Sequence, residues 1–437
     1  MNLRASAAAA MLVATSLIFA VPSQAAVQSQ VTGSLPKGGS YVLDPDPTVG
    51  AAAVGLWFRA PGAGYDNTTP GIARVAATAA AATTLTSGKS LFELVHSLGG
   101  ELNIAVYPDI VGVGAVVPAG AARQAIAAMT AAYFAPAIDD ASVQKAQRDS
   151  AVHAVEERYS PDLALHDLLF AQLFAEGPAH FPPLPDSVSD LTRLTAPQVG
   201  TFAKRAFRSS NAVLTLAGNV DASSIQAITD GNGPASMDPP FDSTLANPPA
   251  ATTDAEGKVD GIGLAWVGPP ISDERAATAL DFVADYLFRD ETGIVSKALE
   301  AGKDGTYAEG QFITLHDPGI MLVTVGGDSR KLATQHILEE VAKLEQPLDP
   351  QVFAAAREAF LYHIAVDTQT PSQAADNLGW YWVEGAPAYA PGDEGGAYAQ
   401  AARALDPQYV ASIVRRYLKN PVTVNLTATP PTKESAS

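Results

Sequence analysis

The segment LTAPQVGTFAKRAFRSSNAVLTLAG at residues 194–218 has a counterpart later in the chain, LDPQYVASIVRRYLKNPVTVNLTA at residues 405–428. At an offset of 210 residues, Pro197 aligns with Pro407 without a gap. Both segments predict a helix that begins at a proline, a short turn, and a strand rich in β-branched and apolar residues. The same helix–turn–strand motif is therefore expected at two places in the fold.

A second pair of segments matches at nearly the same offset. IDDASVQKAQRD at residues 138–149 parallels LDPQVFAAARE at residues 348–358. Two matches in one order and at one spacing indicate an internal duplication of about 210 residues, which is too long for a solenoid repeat. Chance similarity between helix–turn–strand segments is the alternative.

The two halves are separated by a segment that favours neither helix nor central strand. GNGPASMDPPFDSTLANPPA at residues 231–250 contains five prolines and no lysine or arginine. Repeated proline interrupts helices and sheet ladders, so the segment is expected to be an extended connector. We place the Pro-rich linker at residues 231–256, between an N-terminal domain at 30–230 and a C-terminal domain at 257–430.

Each half contains apolar strand candidates and helices with amphipathic periodicity. The strand candidates lie at residues 51–59, 111–118, 261–267 and 320–326. Because the strands are grouped and the helices can cover them, the pattern predicts the α+β class rather than a doubly wound sheet. We therefore expect two homologous α/β-sandwich domains of about 210 residues each.

The amino terminus has the pattern of a signal peptide. Arg4 supplies positive charge, an apolar run covers residues 7–21, and Ser23-Gln24-Ala25 resembles a cleavage site. The run is too short and too rich in Ala, Ser and Thr for a membrane span, and no later stretch reaches about 18 uninterrupted apolar residues. We predict a signal peptide at 1–25 and a periplasmic or secreted protein without a membrane span. A buried N-terminal helix is the alternative.

Charge and cysteine content exclude several classes of function. The chain has 27 basic and 46 acidic residues, a net charge of −19, and no cysteine. Because a strongly acidic surface repels phosphate, we expect no nucleic-acid partner. Without cysteine there is no disulfide, thiolate zinc site or cysteine nucleophile, so His, Asp and Glu are left as metal ligands. The seven histidines are scattered along the sequence, and no common hydrolase or nucleotide-binding motif occurs.

The order of segments along the chain resembles that of the insulinase-type peptidases of the M16 family. The resemblance rests on PGIARVAATAAAATTLTSGKSLFELVHSLGGELNIAV at residues 70–106, on the segments that follow it, and on the two-fold repeat. It implies two α/β domains that form one half of a clamshell. In the family, a helix that follows a Pro-Gly-Ile/Leu-Ala sequence carries the motif His-x-x-Glu-His. Its two histidines bind zinc, its glutamate polarises the attacking water, and a further glutamate completes the site.

In this chain the positions of the zinc motif hold residues that cannot bind zinc. They are Arg74, Ala77 and Thr78 on the motif helix and Ala154 at the position of the further glutamate. Arginine stays cationic and repels Zn²⁺, and alanine supplies no ligand atom. Glu156 and Glu157 lie two and three residues beyond that position and would need a small insertion to reach the site. A solvated helix face is the expected role for them.

The resemblance therefore implies a catalytically inactive subunit that has no cofactor. Such a subunit is expected to form a heterodimer with a zinc-bearing M16 peptidase and to assist it in binding and degrading peptides. One alternative is a stand-alone peptide-binding or scaffold protein with this fold. Another is a zinc peptidase with unorthodox ligands.

The resemblance also implies two places where peptide is held. In the family a Gly-Gly-x-x-Asn-Ala strand pairs with substrate, and GGELNIA at residues 99–105 partly keeps that form. A tyrosine of the second domain, accompanied by an arginine, holds substrate in the partner's site, and here Glu300 stands in the arginine position. The predicted substrate-binding residues are Asn103, Ile104, Ala105 and Tyr307. An ordinary edge strand and a packing tyrosine are the alternatives.

Overall fold

The computed structural model describes residues 30–35, 37–60, 69, 71–107, 109–173, 191–229, 251–391 and 395–429. The predicted signal peptide and residues 231–250 of the predicted linker lie outside these residues. Two β-sheets with their covering helices make up the fold. Of the helices in this part of the chain, none is both long and apolar enough to span a bilayer.

The first sheet has six strands in the order β1–β2–β6–β3–β5–β4. They are β1 (Val31–Ser34), β2 (Ser40–Pro45), β3 (Ala51–Arg59), β4 (Glu101–Val106), β5 (Ile110–Pro118) and β6 (Ala212–Gly218). β2 and β6 are parallel, and the other neighbouring strands are antiparallel. The central strands β3 and β6 are buried along nearly their whole length, which explains why they are almost continuously apolar. β4 lies at one edge.

Six α-helices lie in the described part of the first half, and some of them begin at side chains that cap their free amide groups. They are α1 (Ile72–Ala82), α2 (Leu91–Ser97), α3 (Ala122–Phe134), α4 (Asp140–Tyr159), α5 (Pro161–Leu173) and α6 (Ala196–Ala206). Ser90 and Asp139 form capping boxes at α2 and α4, and Pro197 lies in the first turn of α6. α1, α2, α3 and α6 cover one face of the first sheet and form the first hydrophobic core with it.

The second sheet has five strands in the order β7–β11–β8–β10–β9. They are β7 (Thr252–Gly257), β8 (Gly261–Val267), β9 (Tyr307–Ile313), β10 (Ile320–Gly326) and β11 (Val422–Ala428). The helices of this half are α7 (Glu274–Phe288), α8 (Ile294–Gly302), α9 (Arg330–Lys343), α10 (Pro350–Val366), α11 (Pro371–Val383), α12 (Ala397–Arg403) and α13 (Pro407–Tyr417). Short 3₁₀ helices lie at Ala119–Ala121, Ser209–Asn211, Ala222–Ala227 and Pro387–Tyr389.

The second half repeats the first element by element. β8, β10 and β11 begin 210 residues after β3, β5 and β6, and α10 and α11 begin 210 residues after α4 and α5. Each sheet contains one parallel pair, β2 with β6 and β7 with β11. The predicted α+β class with two similar sheets is confirmed.

The second sheet begins earlier in the sequence than the predicted boundary. β7 occupies residues 252–257, of which 252–256 were assigned to the linker. It pairs with β11 along six residues, and its side chains alternate between exposed and half-buried. β7 is an edge strand with β11 as its partner, so none of its side chains is fully buried and its sequence is not apolar. For that reason no apolar pattern predicted it.

Each half lends one helix to the sheet of the other half. α5, from the first half, lies across β8, β10 and β11, and Leu165 and Leu169 contact this sheet. α11, from the second half, lies across β3, β5 and β6. Both sheets are thereby covered on two faces, and the outer faces form the contact between the halves.

The contact between α11 and the first sheet depends on close approach at Trp57. The Trp57 side chain is 6% exposed and lies against α11, where Gly379 faces its indole ring. Gly55 and Gly112 leave further space for the same ring, since a Cβ atom at Gly112 would lie 2.9 Å from Trp57 Cζ3. Glycine at these positions lets a helix backbone lie directly on a tryptophan.

Candidate functional site

Two of the degenerate motif positions belong to the packed interior. α1 begins after Gly71, which has a φ of 78° that favours glycine, and nearly all of its side chains are buried. Ala77 is fully buried, and its carbonyl oxygen accepts a hydrogen bond from Tyr133 Oη at 2.9 Å. Thr78 is 7% exposed, and Ala154 on α4 is 9% exposed. Ala77 and Thr78 therefore hold α1 within the first core.

Arg74, at the first motif position, reaches the edge strand instead. Its Nη1 donates to the carbonyl oxygen of Ile104 on β4 at 3.3 Å. Burial lowers the pKa of the guanidinium, whereas the negative charges of Glu157 and Asp167 raise it. An arginine this close to two carboxyl groups is a fixed cation, and it occupies the place that the motif gives to a metal ligand.

Acidic and imidazole side chains of α4 and α5 surround this cation. His153 Nε2 lies 2.7 Å from Glu157 Oε1, one helical turn away on α4. His166 Nδ1 lies 3.6 Å from Asp167 Oδ1 on α5. Burial raises the pKa of Asp167, and its hydrogen bond and charge interaction with His166 oppose this rise. The site thus combines one guanidinium with two carboxyl–imidazole pairs.

This grouping was not predicted from the sequence. Glu156 is exposed, as expected for a solvated helix face, but the Glu157 side chain is only 13% exposed and interacts with Arg74. The i, i+4 spacing of His153 and Glu157 was the available signal. In the described part of the chain, no three His, Asp or Glu side chains are arranged to hold a metal ion.

The backbone of β4 directs the N–H and C=O groups of one of the three predicted strand residues to the open edge of the sheet. Tyr107 N donates to Ile110 O, which fixes the alternation of hydrogen bonds between β4 and β5. By that alternation Asn103 and Ala105 direct their N–H and C=O groups towards β5. Those of Ile104 point to the open edge, where Arg74 contacts the carbonyl oxygen.

Tyr307 lies at the start of β9 and is bonded to the first half of the chain. Its hydroxyl donates to Asp162 Oδ2 at 3.0 Å, and the Thr324 hydroxyl donates to Asp162 Oδ1 at 2.6 Å. Burial, followed by the charge of Asp162, raises the pKa of the Tyr307 phenol. A substrate contact for Tyr307 stays a prediction. It requires the Tyr307 hydroxyl to break its hydrogen bond with Asp162.

α5 connects the two predicted regions of the site. Asp162 is in its first turn and holds Tyr307, and Asp167 lies five residues further along, near Arg74. Five residues of helix rise about 7.5 Å. The tyrosine and the guanidinium are therefore attached to one short helix.

Comparisons with known proteins bear on the whole fold. Residues 193–360 match the family model for the peptidase M16 inactive domain. The fold is similar to that of a protease from Helicobacter pylori, with a TM-score of 0.78, 16% identity, and coverage of 91% of this chain and 99% of that chain. It is also similar to a peptidase M16 inactive domain from Pseudomonas fluorescens, with a TM-score of 0.74, 15% identity, and coverage of 92% and 98%.

A comparison with curated proteins gives no match. The family resemblance seen in the sequence agrees with the matched family model and with the fold of the solved structures. Residues 193–360 therefore correspond to the inactive domain of the M16 peptidase family, and the chain shares its fold with a solved M16 inactive domain.

Proposed function

We propose that this chain is a non-catalytic M16 subunit that forms a heterodimer with an active zinc peptidase in the periplasm and assists it in binding peptides for degradation. The observation that carries the proposal is the position of Arg74. Arg74 stands at a motif position where catalysis needs a metal ligand. Its guanidinium instead extends from the motif helix to the open edge of β4. The match to the inactive domain supports the same conclusion.

Zinc catalysis needs neutral imidazoles or carboxylates on one side of the metal and a base beside the bound water. At the motif positions this chain has a guanidinium, a methyl group and a hydroxyl group. The first repels a divalent cation, and the other two are buried in the core. These properties support a role in holding peptide rather than in cutting it.

The open edge of β4 supports peptide binding by strand addition. Ile104 offers both an N–H donor and a C=O acceptor to an added strand, and backbone pairing requires no particular side chain. The carbonyl oxygen has two lone pairs, so it can accept from a peptide while Arg74 also donates to it. A bound peptide would then lie beside the guanidinium.

We expect the purified chain to contain no stoichiometric zinc and to cleave no unfolded peptide on its own. The physical reason is the replacement of the ligands and base by Arg74, Ala77 and Thr78. Elemental analysis together with a peptide-cleavage assay checks this expectation. One tightly held zinc per chain, lost together with activity on chelation, would contradict the proposal.

We expect Ile104→Pro to weaken the binding of a fluorescently labelled, unstructured peptide about fivefold. Proline removes the N–H that faces the open edge, and one such hydrogen bond contributes about 1 kcal/mol. Because this N–H does not face β5, the sheet ladder keeps its bonds. Fluorescence anisotropy measures the affinity.

The matched control for this experiment is Ile104→Val, which keeps the N–H and most of the apolar side chain. Its peptide affinity should equal that of the unchanged protein. Equal affinities for the proline and valine variants would show that β4 is an ordinary structural edge.

A stand-alone peptide-binding protein is the second candidate function. It is favoured by the position of the β4 edge, which a single chain presents without a partner. Co-purification from the native periplasm separates the two candidates. Recovery of an M16 peptidase with an intact His-x-x-Glu-His motif supports the heterodimer, and recovery of the chain alone supports the second candidate.

A further inference from the structure

Two acidic side chains, one from each half of the chain, meet in the contact between the halves. Asp109 lies in the turn between β4 and β5, and Glu384 directly follows α11. They are 3% and 1% exposed. Their carboxyl groups are within hydrogen-bond range of each other. We call Asp109 and Glu384 the carboxyl pair.

The hydrogen bonding of the carboxyl pair is incomplete unless a proton lies between the two groups. Asp109 Oδ1 and Glu384 Oε1 are both buried, and neither has a donor among the described residues. Two carboxylates are acceptors only, whereas a protonated carboxyl donates one hydrogen bond. One shared proton satisfies both oxygen atoms. Without it, two buried acceptors face each other, which is costly.

The charged and titratable groups around the pair come from two further elements. Arg59, at the end of β3, is the cation that acts on both carboxyl groups, and its Nε donates to Val383 O at 2.7 Å. His316, in the loop between β9 and β10, donates from its backbone N to Glu384 Oε2 at 2.8 Å. Its ring Nδ1 lies 2.8 Å from the Glu384 carbonyl oxygen. The Glu384 side chain is therefore held in place on the side of the second half.

Burial raises the pKa of Asp109 to about 7. Burial and the adjacent Asp109 raise the pKa of Glu384 well above its usual range. After Asp109 has lost its own proton, the pair therefore still keeps one proton, and this shared proton is lost only at a pH above 7. Loss of that proton leaves two buried negative charges that face one arginine.

We propose that the proton shared by Asp109 and Glu384 locks the turn between β4 and β5 onto the end of α11, and that loss of this proton releases the turn. The second charge can be solvated when the two groups separate and water enters. Because His316 holds Glu384 in place, Asp109 and its turn are the part that moves. The turn with Asp109 is joined directly to β4. Release thus loosens the edge strand from its carboxyl end.

The chain contains its own reporter of this contact. Trp57, Trp380 and Trp382 lie in the aromatic cluster between β3 and α11, next to the carboxyl pair. The Tyr107 ring, two residues before Asp109, contacts the Trp380 ring at a centroid distance of 4.7 Å. The fourth tryptophan of the chain, Trp266, lies in the core of the second half.

The first test follows tryptophan emission and acrylamide quenching of the full chain from pH 5 to pH 9. We expect a reversible shift to longer wavelength and stronger quenching as the pH rises above 7. Glu384→Gln should abolish this transition, because the amide donates to the Asp109 carboxylate at every pH. Asp109→Asn should abolish it in the same way. A transition that persists in both variants, or no transition in the unchanged protein, overturns the proposal.

The control is Asp281→Asn, which removes a carboxyl of α7 that accepts from Tyr398 Oη at 2.7 Å and whose pKa burial also raises to about 7. Its transition should match that of the unchanged protein, and its loss would assign the transition to α7 instead.

A second measurement needs no variant. Hydrogen exchange of the Tyr107 amide, which donates to Ile110 O, should lose at least tenfold protection between pH 6 and pH 9 after correction for intrinsic exchange. The amides of β10 should keep their protection. Unchanged protection at Tyr107 overturns the proposal.

Discussion

Replacing Gly379 by alanine is expected to lower the free energy of unfolding by about 3 kcal/mol, as is found when a well-packed core is overfilled. The added Cβ atom would overlap the Trp57 indole ring, and Trp57 is 6% exposed in the centre of the contact between the halves. Neither α11 nor β3 can move without separating the other side chains at this surface. Urea unfolding, followed by circular dichroism, measures the change.

Gly200→Ala is the matched control. Gly200 also lies inside a helix, α6, but a Cβ atom there meets nothing within 4 Å. Alanine favours the helix by about 1 kcal/mol relative to glycine, so this variant should be as stable as the unchanged protein or more so. Equal stability of the Gly379 and Gly200 variants would mean that close approach at Trp57 is not required.

The second large effect is a fall in stability between pH 5 and pH 8, of about 3 kcal/mol or more. Burial raises the pKa of Asp109 and of Asp281 to about 7, from 3.8. Between these values the folded protein holds protons that the unfolded chain has already released. The stability due to these protons is fully present below pH 4 and is lost as the pH rises to 7. Carboxyl groups such as Asp139, whose pKa is lowered by hydrogen bonds from Ser142, titrate below this window.

Urea unfolding at a series of pH values measures this fall. In the Asp281→Asn variant the fall should be smaller, because the proton of this carboxyl no longer contributes. The asparagine oxygen still accepts the Tyr398 hydrogen bond, so the core keeps its shape. Stability that rises from pH 5 to pH 8, or an unchanged fall in the variant, would contradict the assignment.

The duplication was visible in the sequence because corresponding elements keep both their spacing and their start signals. Pro197 and Pro407 lie in the first turns of α6 and α13, and each helix leads into a buried strand. In contrast, the sequence did not predict that α5 and α11 each pack on the sheet of the other half. An apolar helix face shows that a helix is buried, but it does not specify which sheet buries it.

The candidate site was predictable at its centre and not at its margins. Arg74 could be placed by its distance from the Pro-Gly-Ile-Ala sequence, whereas its contact with Ile104 depends on the register of β4 against β5. The alternation of that register decides which backbone groups are open, and a shift of one residue reverses it. Contacts such as the one between Asp109 and Glu384 join positions far apart in the chain, so no local pattern records them.

The exchange of α5 and α11 between the halves has a consequence for the order of folding. Arg59 and Val383, which meet in this contact, are 324 residues apart. During synthesis, the outer face of the first sheet, with Trp57 and Val213, stays uncovered until α11 has been made. α5 likewise waits for the second sheet. Long-range contacts of this kind form slowly and leave apolar surface exposed to aggregation. The two halves therefore reach their final structure together, in one event for the whole chain.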